Sequence, residues 1–229
     1  MEKRKLIAGL LIKNEADRYL RKCLDDLVQY VDGFVVVDNG STDDSVKICQ
    51  SYEKCLVVQI NSISWQTGES TLRQELFNLI CKYNPEWVLI IDGDEIFEEK
   101  FKQLLPKLMN SQDFDWYGFK IFHFWGNETF YRIDKLWQPH NGYIRMCRYK
   151  PNFDYIWADA VAGSPLPTNV HKVLMGKKTE IRVKHLGYAN QEDIKRKFDR
   201  YINRNDEHQK EHIKSILDKE IVLEKWLDS

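Results

Sequence analysis

The sequence predicts an α/β domain: a mostly parallel sheet flanked by helices, with a mixed, loop-rich second half and a C-terminal helical segment. Short Val/Ile/Leu-rich runs alternate with segments of helical spacing over residues 1–110, the pattern of a parallel sheet covered by helices. Clusters of Asp, Asn, Gly, Ser and Thr close the apolar runs where a strand must turn into a helix. At 229 residues, with 43% hydrophobic and 30% charged residues, the chain is long enough for one large core. We read it as a single domain, 1–229, with a first half to 110, a second to 189 and C-terminal helices over 190–229.

Taken in order, Lys5 to Ile12, Gly33 to Asp38, Leu56 to Ile60 and Glu86 to Asp92 read as four parallel strands, each short, apolar and bounded by polar residues. Between the first two, Leu20, Leu24, Leu27, Val28 and Val31 recur at helical spacing, with Asn14 placed as the N-cap. Ser41 to Tyr52, Glu69 to Tyr83 and Glu98 to Met109 supply further helices, the second stopped by Asn84-Pro85. From Phe114 to about Val183 the pattern breaks into short aromatic runs between Gly, Pro and Asn, which predicts mixed strands and long loops. Ile194, Phe198, Tyr201 and Ile202 then mark a helix in a charged tail, whose Leu217, Ile221, Leu223 and Trp226 could pack internally or form a homodimer contact.

The charge balance excludes some partners. Lys plus Arg number 34 and Asp plus Glu 35, so no global field gathers nucleic acid. No apolar run reaches the ~18 residues of a membrane span, and the first residues meet charge too early for a signal peptide, which points to the cytoplasm. Five scattered cysteines without a Cys-x-x-Cys spacing read as reduced thiols rather than a disulfide or zinc framework.

Ligands of open parallel sheets sit outside the carboxyl ends of the strands. Three polar clusters fall there: Lys13-Asn14-Glu15, Asp38 to Asp44 beginning with Asn39 at its second place, and Asp92-Gly93-Asp94-Glu95. The second cluster is also what any strand-to-helix junction uses to turn and cap. The third is sharper. In extended geometry Asp92 and Asp94 leave one face with Gly93 open between them, a pair suited to Mg²⁺ or Mn²⁺ and, through it, to a diphosphate leaving group. Phosphatases with an Asp-x-Asp nucleophile compete for the motif, but theirs continues with Thr or Val where Ile96 stands here.

LLIKNEADRYLRKCLDDL, FVVVDNGSTDDS, STLRQELFNLI and EWVLIIDGDEIF occur in the order of the family 2 glycosyltransferases, which residues 5 to about 100 resemble. Lys184-His185-Leu186-Gly187-Tyr188 is similar to the His-x-Gly-Tyr of several members. The resemblance implies a GT-A fold and a metal-dependent, hexosyltransferase-type transfer from a nucleotide-diphosphate sugar, a UDP-sugar by preference, to a carbohydrate or other hydroxyl acceptor, with inversion. It implies that Asp38 and Asn39 lie along the nucleoside and that Arg73 approaches the base or diphosphate. Asp92 would touch the ribose or the metal's water shell, Asp94 would ligate the metal, and His185 would be a further ligand. Lys13 stands where members carry an aromatic residue for base stacking.

The acceptor base should come from the second half, and Asp159 in IWADAVAGSPLP is the first candidate, with Asp154 and Glu128 behind it. Of Trp116, Tyr117, Trp125, Tyr131, Trp137 and Trp157, one or two should face the acceptor. Ion pairing of Arg73 with Glu69 or Glu75, and a backbone-satisfied His185, are the purely structural alternatives. Rival functions are a nucleotidyl- or phosphotransferase on the same cation site, and a non-catalytic relative that binds the nucleotide sugar.

Overall fold

Every residue of β1 (Leu6–Ile12) is buried, as expected of a strand apolar on both faces in the middle of a sheet. The structure is a computed structural model, and it describes residues 5–60, 65–157, 164–202 and 210–228. β1 pairs in parallel with β2 (Gly33–Asp38) and β4 (Trp87–Ile90), and β2 pairs in parallel with β3 (Cys55–Ile60). The four expected parallel strands lie in the order β3-β2-β1-β4, so their carboxyl ends share one rim.

The strand ending at Ile90 is shorter than the sequence suggests, because Asp92-Gly93-Asp94 is not extended. It is a turn closed by the Glu95 N–H donating to Asp92 O at 3.0 Å, and it leads into β5 (Glu95–Phe97). A second correction concerns Asn14. α1 (Leu20–Leu27) starts well beyond it and buries the Leu20, Cys23, Leu24, Leu27 stripe, while Asn14 itself takes a left-handed φ of 54°. α2 (Ser45–Gln50) is shorter than expected, since 41–44 form the turn before it.

α3 (Trp65–Cys81), irregular at Gly68, lays Leu72, Leu76 and Ile80 on the sheet. It can approach closely because Gly9 of β1 has no side chain: a Cβ there would lie 2.6 Å from Ile80 Cδ1. α4 (Lys100–Asn110) covers the opposite face through Phe101 and Leu105.

The second half contains long strands where short runs were expected. β6 (Trp116–Trp125), β8 (His140–Arg148) and β9 (Gly176–Tyr188) join the short β7 (Phe130–Arg132) and a helical turn, α5 (Val170–Val173). β8 pairs antiparallel with β4 and with β6, while β9 runs parallel to β6 and antiparallel to β5, so one sheet passes through both halves. Gly118, which looks like a breaker, sits at a register shift inside β6. α6 (Gln191–Tyr201) and α7 (Lys210–Ser215) form the tail, which then returns to the sheet as β10 (Leu223–Lys225) beside β7. Trp226 packs edge-on against Phe122 and Tyr131, whereas Leu217 and Leu223 stay exposed.

All five cysteines are free thiols, as expected. Among the described residues no helix is long and apolar enough to cross a membrane.

Candidate active site

The loops after β1 and β2 are laced together at the rim. Asp38 is buried, and its carboxylate accepts from the Ser41 N–H at 2.8 Å and the Ser41 hydroxyl at 2.5 Å. Ser41 Oγ in turn accepts the Asn14 N–H at 2.8 Å, Asn14 Oδ1 accepts the Thr42 N–H at 2.8 Å, and the Asn39 N–H donates to Ile12 O at 2.9 Å. These side chains set the loop conformation.

Beside these loops opens a cleft of about 280 Å³, lined by the first half, the second half and the tail together. Asp92 lies on its floor between two buried arginines. Arg73 Nη2, from α3, donates to its Oδ1 at 2.9 Å, and Arg145 Nη2, from β8, donates to its Oδ2 at 3.1 Å. Burial pushes the Asp92 carboxyl up, but Arg73 and then Arg145 outweigh it and hold the group down at about 2. Arg145 also pairs with Glu95, whose carboxyl burial nonetheless raises to about 7. Arg73 also lies 3.6 Å from Glu69, so the structural pairing is real and coexists with Asp92.

Asp94 has its own cations. Lys197 Nζ, from α6, donates to its Oδ2 at 3.2 Å, Arg18 Nη2 lies at 3.7 Å, and His185 Nε2 lies 3.6 Å from its Oδ1. Burial pushes this carboxyl up, and Lys197 above all holds it well below the usual range. Burial and Lys197 lower His185 to about 4, so its ring is neutral. Lys197 Nζ also lies 3.2 Å from His185 Nε2, and His185 Nδ1 lies 2.9 Å from His123 Nδ1. An ammonium only donates, so Nε2 of His185 accepts, its proton sits on Nδ1, and His123 takes that proton's hydrogen bond. Glu15 completes this side, pairing with Arg18 at 2.5 Å and raised to about 7 by burial and then by Asp94.

Profile comparison matches the Glycosyl transferase family 2 description to residues 10–167, most of the chain. The chain belongs to this family. It is 30% identical over 112 residues to the SPbeta prophage-derived glycosyltransferase SunS of Bacillus subtilis, covering 48% of this chain and 24% of SunS. It is 31% identical over 109 residues to the lipopolysaccharide core biosynthesis glycosyltransferase LpsC of Rhizobium meliloti, covering 47% of this chain and 38% of LpsC. The chain thus spans well under half the length of these curated relatives. Among solved structures, S. aureus TarS 1-349 superposes with a TM-score of 0.53 at 16% identity, covering 93% of this chain and 69% of that one. That likeness shows a shared GT-A fold.

Of the residues the sequence singles out, Glu15, Arg73, Asp92, Gly93, Asp94 and His185 line one cleft. Lys13 and Asn14 are exposed, Asp38 and Asn39 are buried in the adjoining loops, and none of these four lines it. Asp159 lies outside the described residues. Glu128 is paired with the exposed Lys22, and Asp154 is exposed away from the cleft. The six aromatics all pack into the apolar clusters and none lines the cleft; Tyr143, Tyr188 and Tyr201 do instead. Sequence reasoning missed Arg18, His123, Arg145 and Lys197. For Arg145 a signal existed, a cation inside an otherwise strand-like run, since a buried arginine demands partners.

Proposed function

We propose that the chain is a glycosyltransferase that binds a nucleotide-diphosphate sugar across this cleft and passes the sugar to a hydroxyl of a carbohydrate or other acceptor by direct displacement with inversion. One observation carries the reading. Asp92 and Asp94 enter a single cleft together with Arg73 and Arg145, and Arg73 Nε and Nη1 and Arg145 Nε have no hydrogen-bond acceptor among the described residues. Buried guanidinium donors of this kind suit a diphosphate. The loops carrying Lys13, Asn14, Asp38 and Asn39 adjoin the cleft and would take the nucleoside. Tyr143, Tyr188, Tyr201, His123 and His212 also line it, and an acceptor sugar would stack on these rings. TarS, which shares the fold, is solved with UDP and with UDP-GlcNAc, and this supports a UDP-sugar donor.

A divalent cation, Mn²⁺ or Mg²⁺, belongs to the same proposal, and the side chains present fit one. Asp94 and the neutral imidazole of His185 face each other 3.6 Å apart, and the tautomer set by Lys197 leaves a lone pair on His185 Nε2; among the described residues no group of three or more His, Cys, Asp or Glu is placed to hold a metal, so its remaining positions would fall to water and the diphosphate. Gly187 leaves room beside Asp94, since a Cβ there would lie 2.6 Å from Asp94 Oδ2 and 2.2 Å from Lys197 Nζ. Asp94 and His185 would hold the ion, with Asp92 contacting its water shell or the ribose. When bound, the ion would neutralise charge on the departing diphosphate. Asp159 is proposed as the acceptor base from its place in the sequence, and a cytoplasmic location accompanies this reading.

A thermal-shift panel of nucleoside diphosphates and their sugars, with and without Mn²⁺, tests it. Binding at a hundredfold excess over Kd stabilises by about 2.7 kcal/mol, roughly 5–10 °C for a chain of this size. UDP or a UDP-sugar should give that shift, and turnover should release the nucleoside diphosphate. A flat panel, or release of pyrophosphate instead, refutes the proposal.

A further inference from the structure

Lys197 is held in place by its helix. Asn190 caps α6 by accepting the Asp193 N–H, and Asp193 Oδ1 accepts from Arg18 Nε at 2.8 Å, which docks the first turn of α6 on the rim. Lys197 follows Asp193 by one helical turn, so its side chain is delivered to the same face. The ammonium arrives 3.2 Å from Asp94 Oδ2, 3.2 Å from His185 Nε2 and 5.0 Å over the Tyr188 ring. It also fills the cradle at Gly187, where a Cβ would lie 2.2 Å from Lys197 Nζ.

A metal ion bound by Asp94 and His185 would sit about 2.0–2.2 Å from the same oxygen and nitrogen. The ammonium uses those lone pairs and that space, so the two cations exclude each other. The charge of the cleft agrees. Among its described lining residues five acids (Glu15, Glu69, Asp92, Asp94, Glu95) face five cations (Arg18, Arg73, Arg145, Lys197, Arg200), leaving no surplus negative charge to attract a free divalent ion.

We propose that Lys197 is a tethered competitor for the cation position formed by Asp94 and His185, and that a divalent ion binds only by displacing its ammonium. This rests on the reading above that Asp94 and His185 hold the ion. Metal affinity in the free protein is lowered by the fraction of time the position is vacant, so an ammonium resident for nine-tenths of the time weakens it about tenfold. The displaced ammonium would then face the diphosphate, so ion and diphosphate favour each other's entry.

The test titrates MnCl₂ into the nucleotide-free full chain, read by calorimetry or by the electron paramagnetic resonance of free Mn²⁺. Wild type is compared with Lys197→Met, Lys197→Gln and Arg200→Met, the last removing an equal charge from the same helix. Lys197→Met should bind Mn²⁺ about tenfold tighter than wild type or better, and Arg200→Met should gain far less. If Lys197→Met does not fold, Lys197→Gln, whose amide can still bond Asp94, carries the comparison. Equal affinity in wild type and the Lys197 variants overturns the inference, as does an equal gain in Arg200→Met, which would reduce the effect to net charge. Either result leaves the donor reading intact where UDP still raises the melting temperature of the wild type; a flat nucleotide panel removes that reading separately.

Discussion

Replacing Arg145 with methionine keeps a long apolar stem and deletes the charge that joins Asp92 to Glu95. Arg145 is buried, its Nη2 lies 3.1 Å from Asp92 Oδ2, and it pairs with the fully buried Glu95. Removing one member of a buried ion pair costs about 3–5 kcal/mol, a large share of the 5–15 kcal/mol that holds a typical domain. The cost should depend on pH in a defined direction. Burial already raises the Glu95 carboxyl to about 7, and Arg145 is the leading influence opposing it. Without Arg145 the group rises further, so the native state keeps a proton that the unfolded chain releases near the ordinary glutamate value. A group that binds its proton more tightly when folded makes stability fall as pH climbs through and above that value. The penalty of Arg145→Met is therefore smaller at pH 5.5, where Glu95 is protonated in both proteins, than at pH 8.5. Each pH unit by which Glu95 rises adds about 1.4 kcal/mol at the alkaline end. Urea unfolding followed by tryptophan fluorescence at both pH values measures this, and thermal melts should show a drop of roughly 6–20 °C at pH 8.5. Adding Glu95→Gln should recover part of the loss at pH 8.5 and little at pH 5.5. A penalty that is the same at both pH values, or below about 1 kcal/mol, refutes the reasoning.

Arg73→Met should weaken UDP binding about 10–100-fold, the value of one charge-assisted hydrogen bond; unchanged affinity in calorimetry would place the diphosphate elsewhere. Gly187→Ala puts a Cβ 2.2 Å from Lys197 Nζ and 2.6 Å from Asp94 Oδ2. Because the lysine end can swing away, the loss should stay near 1–3 kcal/mol, and combining it with Lys197→Met should be less than additive in urea melts. Arg132→Met strikes away from the cleft: this fully buried arginine grips Asp134 at 2.8 and 2.9 Å and donates to Ser215 O at 2.7 Å. It should cost about 3–5 kcal/mol, speed amide exchange over 210–228, and be partly rescued by Asp134→Asn.

The parallel half was legible because strands buried on both faces leave unbroken apolar runs, and the polar clusters that end them mark the rim. The second half was not, because β6 and its partners absorb glycines at register shifts rather than stopping at them. Within the site, Asp92 and Asp94 stood out by spacing, although a turn rather than an extended strand turns both toward the cleft. His123 and Arg145 come from β6 and β8, and only their place in otherwise apolar strands hinted at a function. Lys197 gave no hint at all. Its neighbours Lys195 and Arg196 are exposed, and helical phase together with the Asp193–Arg18 pair decides which lysine enters the cleft. The six aromatics misled for a simple reason: large rings fill the seams between the sheet and the tail, as Trp125 and Trp137 do around Arg132.

In the proposed reaction the division of cations has a consequence for how the donor enters. Asp92 is held by Arg73 and Arg145, and Asp94 by Lys197 and Arg18, so each carboxylate already has a fixed pair of cations. A diphosphate entering such a cleft would exchange partners with the carboxylates instead of recruiting new charges from solvent. The side chains are oriented beforehand, which is the arrangement that lowers the reorganisation needed when charge develops on a leaving group. The exchange also has a limit. Cations shared with a diphosphate would leave Asp92 and Asp94 underneutralised, and a divalent ion held beside the diphosphate would restore the balance, so on the proposed reading neither ligand alone would suit the cleft as well as both together.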